Sequence, residues 1–114
     1  MSKRKIVAVI TDALGERVVV GENEFQHAVE DHFPEFPQHL ILELLETILK
    51  DPTEIFRDNS SEEQIYNFFY KTDVSKKFVV AVIKVTKDGA FFASMYPTGK
   101  KVRNNHKKFK RVKI

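Results

Sequence analysis

The chain has 114 residues, of which 42% are apolar and ten are phenylalanine, a length and composition suited to one domain with one packed core. It has no cysteine, which excludes a disulfide framework, a thiolate nucleophile and a zinc site built on cysteine. The net charge is +3, no apolar run is as long as a membrane span, and the first residues lack the pattern of a secretory signal, so we expect a globular protein of the cytoplasm.

The first third of the chain predicts a hairpin followed by a short helix. KIVAVITDALGERVVVG is rich in β-branched residues and predicts two strands around a Leu14-Gly15 turn. Asn23 is then a candidate N-cap for the helix EFQHAVEDHF, with Gln26 three residues later. Pro34 and Pro37 follow this helix and predict its end.

A second helix is predicted over Gln38–Lys50 by an apolar stripe at helical spacing. The stripe consists of Ile41, Leu44, Leu45, Ile48 and Leu49. Asp51-Pro52 predicts the end of this helix, because the residue before a proline is disfavoured in helical conformation. We expect Leu45, in the middle of the stripe, to be buried against a sheet.

The remaining sequence changes to the alternating pattern that is typical of strands. IYNFFYK, KFVVAVIKVT and GAFFASMYPT predict three strands, with Lys87-Asp88-Gly89 as the tight turn between the last two. Alternation puts Ser94 and Tyr96 on one face of the last strand. The opposite, core-facing set is Phe91, Ala93 and Met95. These elements predict an α+β fold: a short N-terminal hairpin and helices packed on one face of an antiparallel sheet of about four strands, whose other face is open to a ligand.

The charges divide the chain into an acidic body and basic ends. All 16 acidic residues lie between Asp12 and Asp88, and residues 6–99 have eight basic residues, giving a net charge of −8. We predict one globular domain over residues 1–99 and a basic extension over 100–114, which either contacts a phosphate backbone or is a solvated tail. The candidate nucleic-acid contacts are Thr98, Lys100, Lys101, Arg103, Lys107, Lys108, Lys110 and Arg111.

Several chemistries have no motif in this sequence. The four glycines are too dispersed for a phosphate-binding loop, and no serine lies in a nucleophile elbow. Glu24 and His27 are one helical turn apart, as in metal sites of helical bundles, but the chain is too short for the rest of such a bundle. We therefore expect neither a metal ion nor another cofactor.

A set of isolated polar residues remains: His32, Glu35, Lys71, Ser94, Tyr96 and Thr98. RNA cleavage without a metal needs a proton acceptor for the 2′-hydroxyl, a proton donor for the leaving oxygen and a cation near the phosphate, and these side chains include all three. Each also has a structural interpretation. His32 suits a helix end, Glu35 suits a turn, and Ser94 and Tyr96 are ordinary strand residues.

Several short motifs occur in this chain in an order that is similar to that of a known family. HFPEF before an apolar helix that ends in KDPTEIF, then FFYK, KFVVAVIKV and ASMYPTG, resembles the phage-associated nuclease-like domains of the barnase/EndoU/colicin/RelE superfamily over residues 24–99. This resemblance implies a metal-independent endoribonuclease that uses the 2′-hydroxyl of RNA as nucleophile. It implies His32 as general base or acid oriented by Glu35, Lys71 as the cation near the phosphate, and Ser94 and Tyr96 as phosphate or nucleobase contacts.

The resemblance also implies partners. RNA is the expected substrate, as tRNA or ribosome-bound mRNA, and a toxin-like setting implies an antitoxin or immunity protein. The alternatives are a non-catalytic module of the same fold that binds RNA or protein, and a structural component of a mobile element. Catalysis requires His32, Lys71, Ser94 and Tyr96 to converge in one cleft, which a structure can examine.

Overall fold

The structure, a computed structural model, describes residues 5–72, 77–98 and 109–112. These residues form two helices and seven strands: β1 (Ile6–Thr11), β2 (Arg17–Gly21), α1 (Glu22–His32), α2 (Gln38–Lys50), β3 (Glu54–Asp58), β4 (Ile65–Thr72), β5 (Phe78–Thr86), β6 (Gly89–Thr98) and β7 (Lys110–Val112). No helix in these ranges is long and apolar enough to cross a membrane.

The seven strands form one mixed sheet in the order β1-β2-β6-β5-β4-β3-β7. The fold is still α+β, but the prediction of a four-stranded antiparallel sheet is wrong. The hairpin β1-β2 joins the sheet as its edge, and β2 pairs parallel to β6. β3 and β7 extend the other side, where β7 pairs with β3. Neither strand was predicted, because strands of five and three residues are too short to show a clear alternating pattern.

Both helices pack on one face of the sheet, here called the helix face. Leu45, Ile48 and Leu49 of α2 are fully buried there, together with Ile55 of β3 and Phe69 of β4. The predicted α2 stripe is confirmed except at Leu44, which is only half-buried. The apolar stripe therefore does fix the position of α2 on the sheet.

α1 begins earlier than predicted. Its N-cap is Gly21, the last residue of β2, and no side chain caps the helix, so the prediction of Asn23 as the cap is wrong. A Cβ atom on Gly21 would lie 2.6 Å from Glu24 Oε2. Any other residue at this position would therefore force the Glu24 carboxylate to move. The strand continues into the helix without a loop, and the sequence has no separate turn signal to mark the boundary.

The opposite face of the sheet, here called the second face, has a smaller apolar cluster. Its buried members are Phe56, Tyr70, Phe78, Val80 and Val82. Phe109 lies over this face and stacks on Phe68, with ring centroids 5.5 Å apart and planes inclined by 8°. This part of the second face is therefore covered and is not open to a ligand as the sequence analysis expected.

β6 contains an extra residue that changes which side chains share a face. Val82 of β5 pairs with Ser94, whereas the next residue, Ile83, pairs with Phe92, so Ala93 is a β-bulge. Beyond the bulge Phe91 lies opposite Lys84 on the second face. The predicted core set is thus wrong for Phe91 and for Ala93, which packs against the second-face cluster, whereas Met95 is buried in the main core.

The two predicted turns are confirmed. The turn from β1 to β2 contains Gly15 at φ 84°, and the turn from β5 to β6 contains Gly89 at φ 130°, both in the region that favours glycine. Asp12 stabilises the first turn, because its Oδ1 accepts hydrogen bonds from the N–H groups of Leu14 at 2.9 Å and Glu16 at 3.0 Å. Asp12 Oδ2 is buried and has no hydrogen-bond partner in the described part of the chain.

We expect Leu45→Ala to lower the free energy of unfolding by roughly 2–5 kcal/mol, because Leu45 is fully buried and its truncation leaves a cavity. Leu40→Ala is the matched control in the same helix. Leu40 is 44% exposed, so its truncation should change stability by no more than about 0.5 kcal/mol. Urea unfolding of both variants measures this, and equal losses at the two positions would contradict the packing of α2.

A second prediction concerns pH. Burial raises the pKa of Asp12 above its usual 3.8, against the lowering effect of its two backbone hydrogen bonds, so the folded state keeps this proton to higher pH than the unfolded state does. The free energy of unfolding should therefore fall as pH rises from the unfolded pKa through the folded pKa, and stay lower above it. Asp12→Asn cannot ionise and should lack this fall. Urea unfolding at about pH 3.5 and pH 7 measures this. Relative to the wild type, the free energy of unfolding of Asp12→Asn should be higher at pH 7 than at pH 3.5. The same difference between variant and wild type at both pH values would contradict the raised pKa.

Candidate active site

α1 lies along β6 because of the way the sheet is connected. β2 pairs with β6 at two positions, Val18–Ala90 and Val19–Phe91, and then ends where α1 begins. α1 continues beside the rest of β6. Phe25 fixes its rotation through an edge contact with Phe92, with ring centroids 6.2 Å apart. The polar side of α1 therefore borders the strand that carries Ser94 and Tyr96.

The gap between α1 and β6 is a shallow pocket of about 270 Å³, here called the histidine pocket. Its lining consists of Glu24, His27, Ala28, Asp31 and His32 from α1, and Ala93 and Ser94 from β6. The α1 residues recur at three- and four-residue spacing, so they share one helix face. Two imidazoles, two carboxylates and a hydroxyl thus line one exposed site.

His32 lies at the end of α1, next to Tyr96. The centroids of their rings are 5.7 Å apart and the ring planes are inclined by 49°. His32 is exposed, whereas Tyr96 is half-buried. Burial raises the pKa of Tyr96 above its usual 10.0. A phenol is already neutral at physiological pH at its ordinary pKa, so Tyr96 is a hydrogen-bond donor there.

His27 lies one helical turn before Asp31, and its Nδ1 is 3.7 Å from Asp31 Oδ2. Both side chains are largely exposed, at 80% and 62%, so this contact adds little to stability. At this distance the two groups are not hydrogen-bonded, and a small movement of either exposed side chain would bring the carboxylate to the ring nitrogen. The sequence analysis considered His27 only for metal binding, although the spacing of Glu24, His27 and Asp31 on one helix face was a visible signal.

The structure brings together three of the five predicted catalytic residues: His32, Ser94 and Tyr96. Glu35 is exposed in the turn after α1, and within the described residues His32 donates no hydrogen bond to its carboxylate. The role of Glu35 in orienting His32 stays a prediction.

Lys71 lies on the helix face, apart from these three. In the sheet register Tyr70 pairs with Val80, which pairs with Tyr96, so Lys71, one residue on, points to the opposite side. Its Nζ donates to the carbonyl oxygen of Asp51 at 2.6 Å and to Asp51 Oδ2 at 3.0 Å. Lys71 therefore ties β4 to the end of α2 and lies outside the histidine pocket, so the predicted convergence of four residues holds for three of them. The catalytic role of Lys71 stays a prediction.

Three of the eight predicted nucleic-acid contacts lie in the described residues, and five lie outside them. Thr98, at the end of β6, has a buried Oγ1 with no hydrogen-bond partner in the described part of the chain. Lys110 and Arg111 are exposed in β7, and Arg111 shares the second face because it pairs with Phe56. Lys100, Lys101, Arg103, Lys107 and Lys108 lie outside the described residues.

A second depression, here called the aromatic groove, adjoins the histidine pocket on the second face. It has a volume of about 460 Å³ and is lined by Glu24, Tyr66, Lys84, Thr86, Phe91, Phe92 and Ala93. Glu24 and Ala93 line both depressions, so the two are adjacent. Among the described residues, no group of three or more His, Asp or Glu side chains has an arrangement that could hold a metal ion.

Comparison with protein families gives one finding. A family model described as phage-Barnase-EndoU-ColicinE5/D-RelE like nuclease2 matches residues 2–113. No curated protein and no solved structure matches the chain. The match confirms the resemblance inferred from the sequence and extends it to nearly the whole chain.

Proposed function

Because the chain belongs to the phage-Barnase-EndoU-ColicinE5/D-RelE like nuclease2 family, we propose that it is an endoribonuclease that cleaves RNA without a metal ion. The observation that supports this proposal is the histidine pocket, where His27, His32 and Ser94 lie in one exposed site beside Tyr96. Cleavage by transesterification needs two proton-transfer groups, and imidazole serves as either acid or base near neutral pH.

The proposed reaction uses the RNA's own 2′-hydroxyl. One imidazole of the pocket takes the 2′-hydroxyl proton, the oxygen attacks the adjacent phosphorus, and the bond from phosphorus to the 5′-oxygen breaks. The other imidazole donates a proton to that leaving oxygen. The products are a 2′,3′-cyclic phosphate and a free 5′-hydroxyl. His27 and His32 supply the two groups, and Asp31 orients His27.

Stabilisation of the charged phosphorane needs hydrogen-bond donors and positive charge. Tyr96 supplies a neutral phenol as a hydrogen-bond donor, and Ser94 supplies a hydroxyl beside the imidazoles. Positive charge comes from the basic residues that follow β6 in sequence, beginning with Lys100 and Lys101. Their part in the site is inferred from the sequence alone.

The proposed substrates are tRNA or ribosome-bound mRNA, in a phage-associated and toxin-like setting. An antitoxin or immunity protein is then the expected protein partner, because an active ribonuclease must be restrained in the cell that makes it. A non-catalytic RNA-binding module is the competing function, and the cleavage experiment below distinguishes the two.

We expect His32→Ala and His27→Ala each to lower the cleavage rate by about 10²–10⁴-fold, the usual effect of losing a general acid or base. His39→Ala is the matched control, since His39 is an exposed histidine of α2 outside the pocket. The assay uses mixed RNA, tRNA and ribosomes in the presence of EDTA, with the ends of the products mapped. The wild type and His39→Ala should leave 2′,3′-cyclic phosphates and should not cut where the preceding nucleotide is 2′-deoxy.

Three results would contradict this function. The first is inhibition by the chelator, and the second is an equal loss of activity in His39→Ala. The third is a wild type that cuts none of these substrates, in which case a binding module replaces the enzyme.

The basic residues give a separate prediction. Truncation at residue 100 would also remove β7, whose Val112 pairs with Ile55, so charge substitutions are cleaner. Replacing Lys107 and Lys108 by glutamine should lower the log–log salt dependence of binding to single-stranded RNA by about 0.7 for each phosphate that these side chains neutralise. The measurement uses uncleavable 2′-O-methyl RNA. Lys50→Gln, which removes a cation paired with Glu46 on α2, is the control and should leave the slope unchanged. An unchanged slope in the double variant would mean that these lysines form only a solvated segment.

A further inference from the structure

We propose that the aromatic groove binds the nucleotide next to the cleaved phosphate, with its base stacked on an aromatic ring and a phosphate held by Lys84. This inference rests on the proposed function and names its substrate class: single-stranded RNA, whose bases are free to stack.

The groove is built on a row of three residues that cross the sheet. Tyr66 of β4 pairs with Lys84 of β5, and Lys84 pairs with Phe91 of β6. Directly paired residues lie on the same face with Cβ atoms about 4.5–5.5 Å apart. The ammonium-bearing chain of Lys84 therefore rises between two aromatic rings, and both rings are only half-buried. Gln64 Nε2 donates a hydrogen bond to the Tyr66 hydroxyl at 3.2 Å, and this bond restrains the Tyr66 ring.

Lys84 is the cation of this row, and it is half-buried. Within the part of the chain that the structure describes, Lys84 forms no ion pair with a carboxylate. Its position contrasts with that of Lys71, which has Asp51 as a partner on the other face. Glu24 is the one carboxylate among the residues that line the groove, and Lys84 forms no ion pair with it in the described structure. The half-buried ammonium can therefore bind a phosphate through charge-assisted hydrogen bonds.

The aromatic groove adjoins the proposed active site, so the nucleotide that it would bind is the one next to the cleaved phosphate. The Ala93 bulge places Phe91 on the same face as Ser94, and both depressions share Glu24 and Ala93. A strand that passes the histidine pocket therefore enters the aromatic groove with its next nucleotide. The groove volume of about 460 Å³ lies within the range of roughly 300–1,000 Å³ that small-ligand pockets have.

The chemistry of the row favours single-stranded RNA over a duplex. Stacking on aromatic rings requires an exposed base face, and bases within a duplex are already stacked on one another. Such stacking tolerates every base, because each has a flat π face. We therefore expect the groove to select for strandedness and to contribute little sequence preference.

The test measures the dissociation constant of a single-stranded 2′-O-methyl RNA, which the enzyme cannot cleave. Tyr66→Leu keeps an apolar side chain but removes the ring, and it should weaken binding about 5- to 150-fold, the value of one base stacked on an aromatic residue. Phe36→Leu is the control, because Phe36 is an exposed ring in the turn between α1 and α2. It should leave the dissociation constant unchanged. The same RNA in duplex form should bind Tyr66→Leu and the wild type alike.

Lys84 gives a second, independent variant. Lys84→Gln should lower the log–log salt slope by about 0.7, because glutamine cannot neutralise a phosphate, and Lys84→Arg should keep the wild-type slope. Lys87→Gln, in the exposed turn that follows β5, should leave the slope unchanged. Thermal unfolding shows whether Tyr66→Leu folds. If it does not, the Lys84 variants alone test whether the aromatic groove binds a nucleotide.

The outcomes separate this inference from the proposed function. Cleavage by the wild type, combined with unchanged binding in both the Tyr66 and Lys84 variants, overturns the subsite and leaves the nuclease in place. Binding that depends on Tyr66 and Lys84 but is followed by no cleavage of normal RNA supports the subsite and overturns the catalytic proposal. A wild type that does not bind the single strand overturns both.

Discussion

The β-bulge at Ala93 determines which side chains meet at the candidate site. In a regular strand Phe91 and Ser94 would point to opposite faces of the sheet, because side chains alternate with a period of two. The extra residue reverses that alternation, so Phe91 and Ser94 share the second face while Phe92 and Met95 remain in the main core. Without the bulge, the aromatic groove and the histidine pocket would lie on different sides of the sheet. Bulges are common beside active sites because they re-aim a side chain in this way.

The position of α1 depends on a second local constraint, the direct passage from β2 into the helix at Gly21. The parallel pairing of β2 with β6 sets the direction of α1, and the contact of Phe25 with Phe92 sets its rotation. The buried apolar side of α1 thus fixes the helix, and the exposed polar side carries His27 and His32. The two imidazole rings are positioned although they are not buried themselves. Exposed imidazoles on a packed helix are accessible from solvent, as the proposed reaction on a large RNA substrate would require.

Sequence patterns predicted the elements whose signals are local. The α2 stripe, both glycine turns and the three long strands are where periodicity and turn chemistry put them. The bulge has no local signal, so Phe91 was assigned to the wrong face, and β3 and β7 are too short to show alternation. Convergence is a tertiary property: His32 meets Tyr96 across two elements, whereas Lys71 is turned away by one residue of register. Leu45, whose burial needs only the helix period, was predicted correctly.

The same topology bears on the charge of the body, which is net acidic over residues 6–99. Residues 99–108 carry five lysines and arginines, and the chain enters this segment from Thr98 on β6 and leaves it at Phe109, which stacks on Phe68. Both ends of the segment are thus attached to the sheet, one beside Tyr96 and one on the second face. In the proposed function, the five cations of this segment would offset the negative charge of the body and attract the phosphates of RNA.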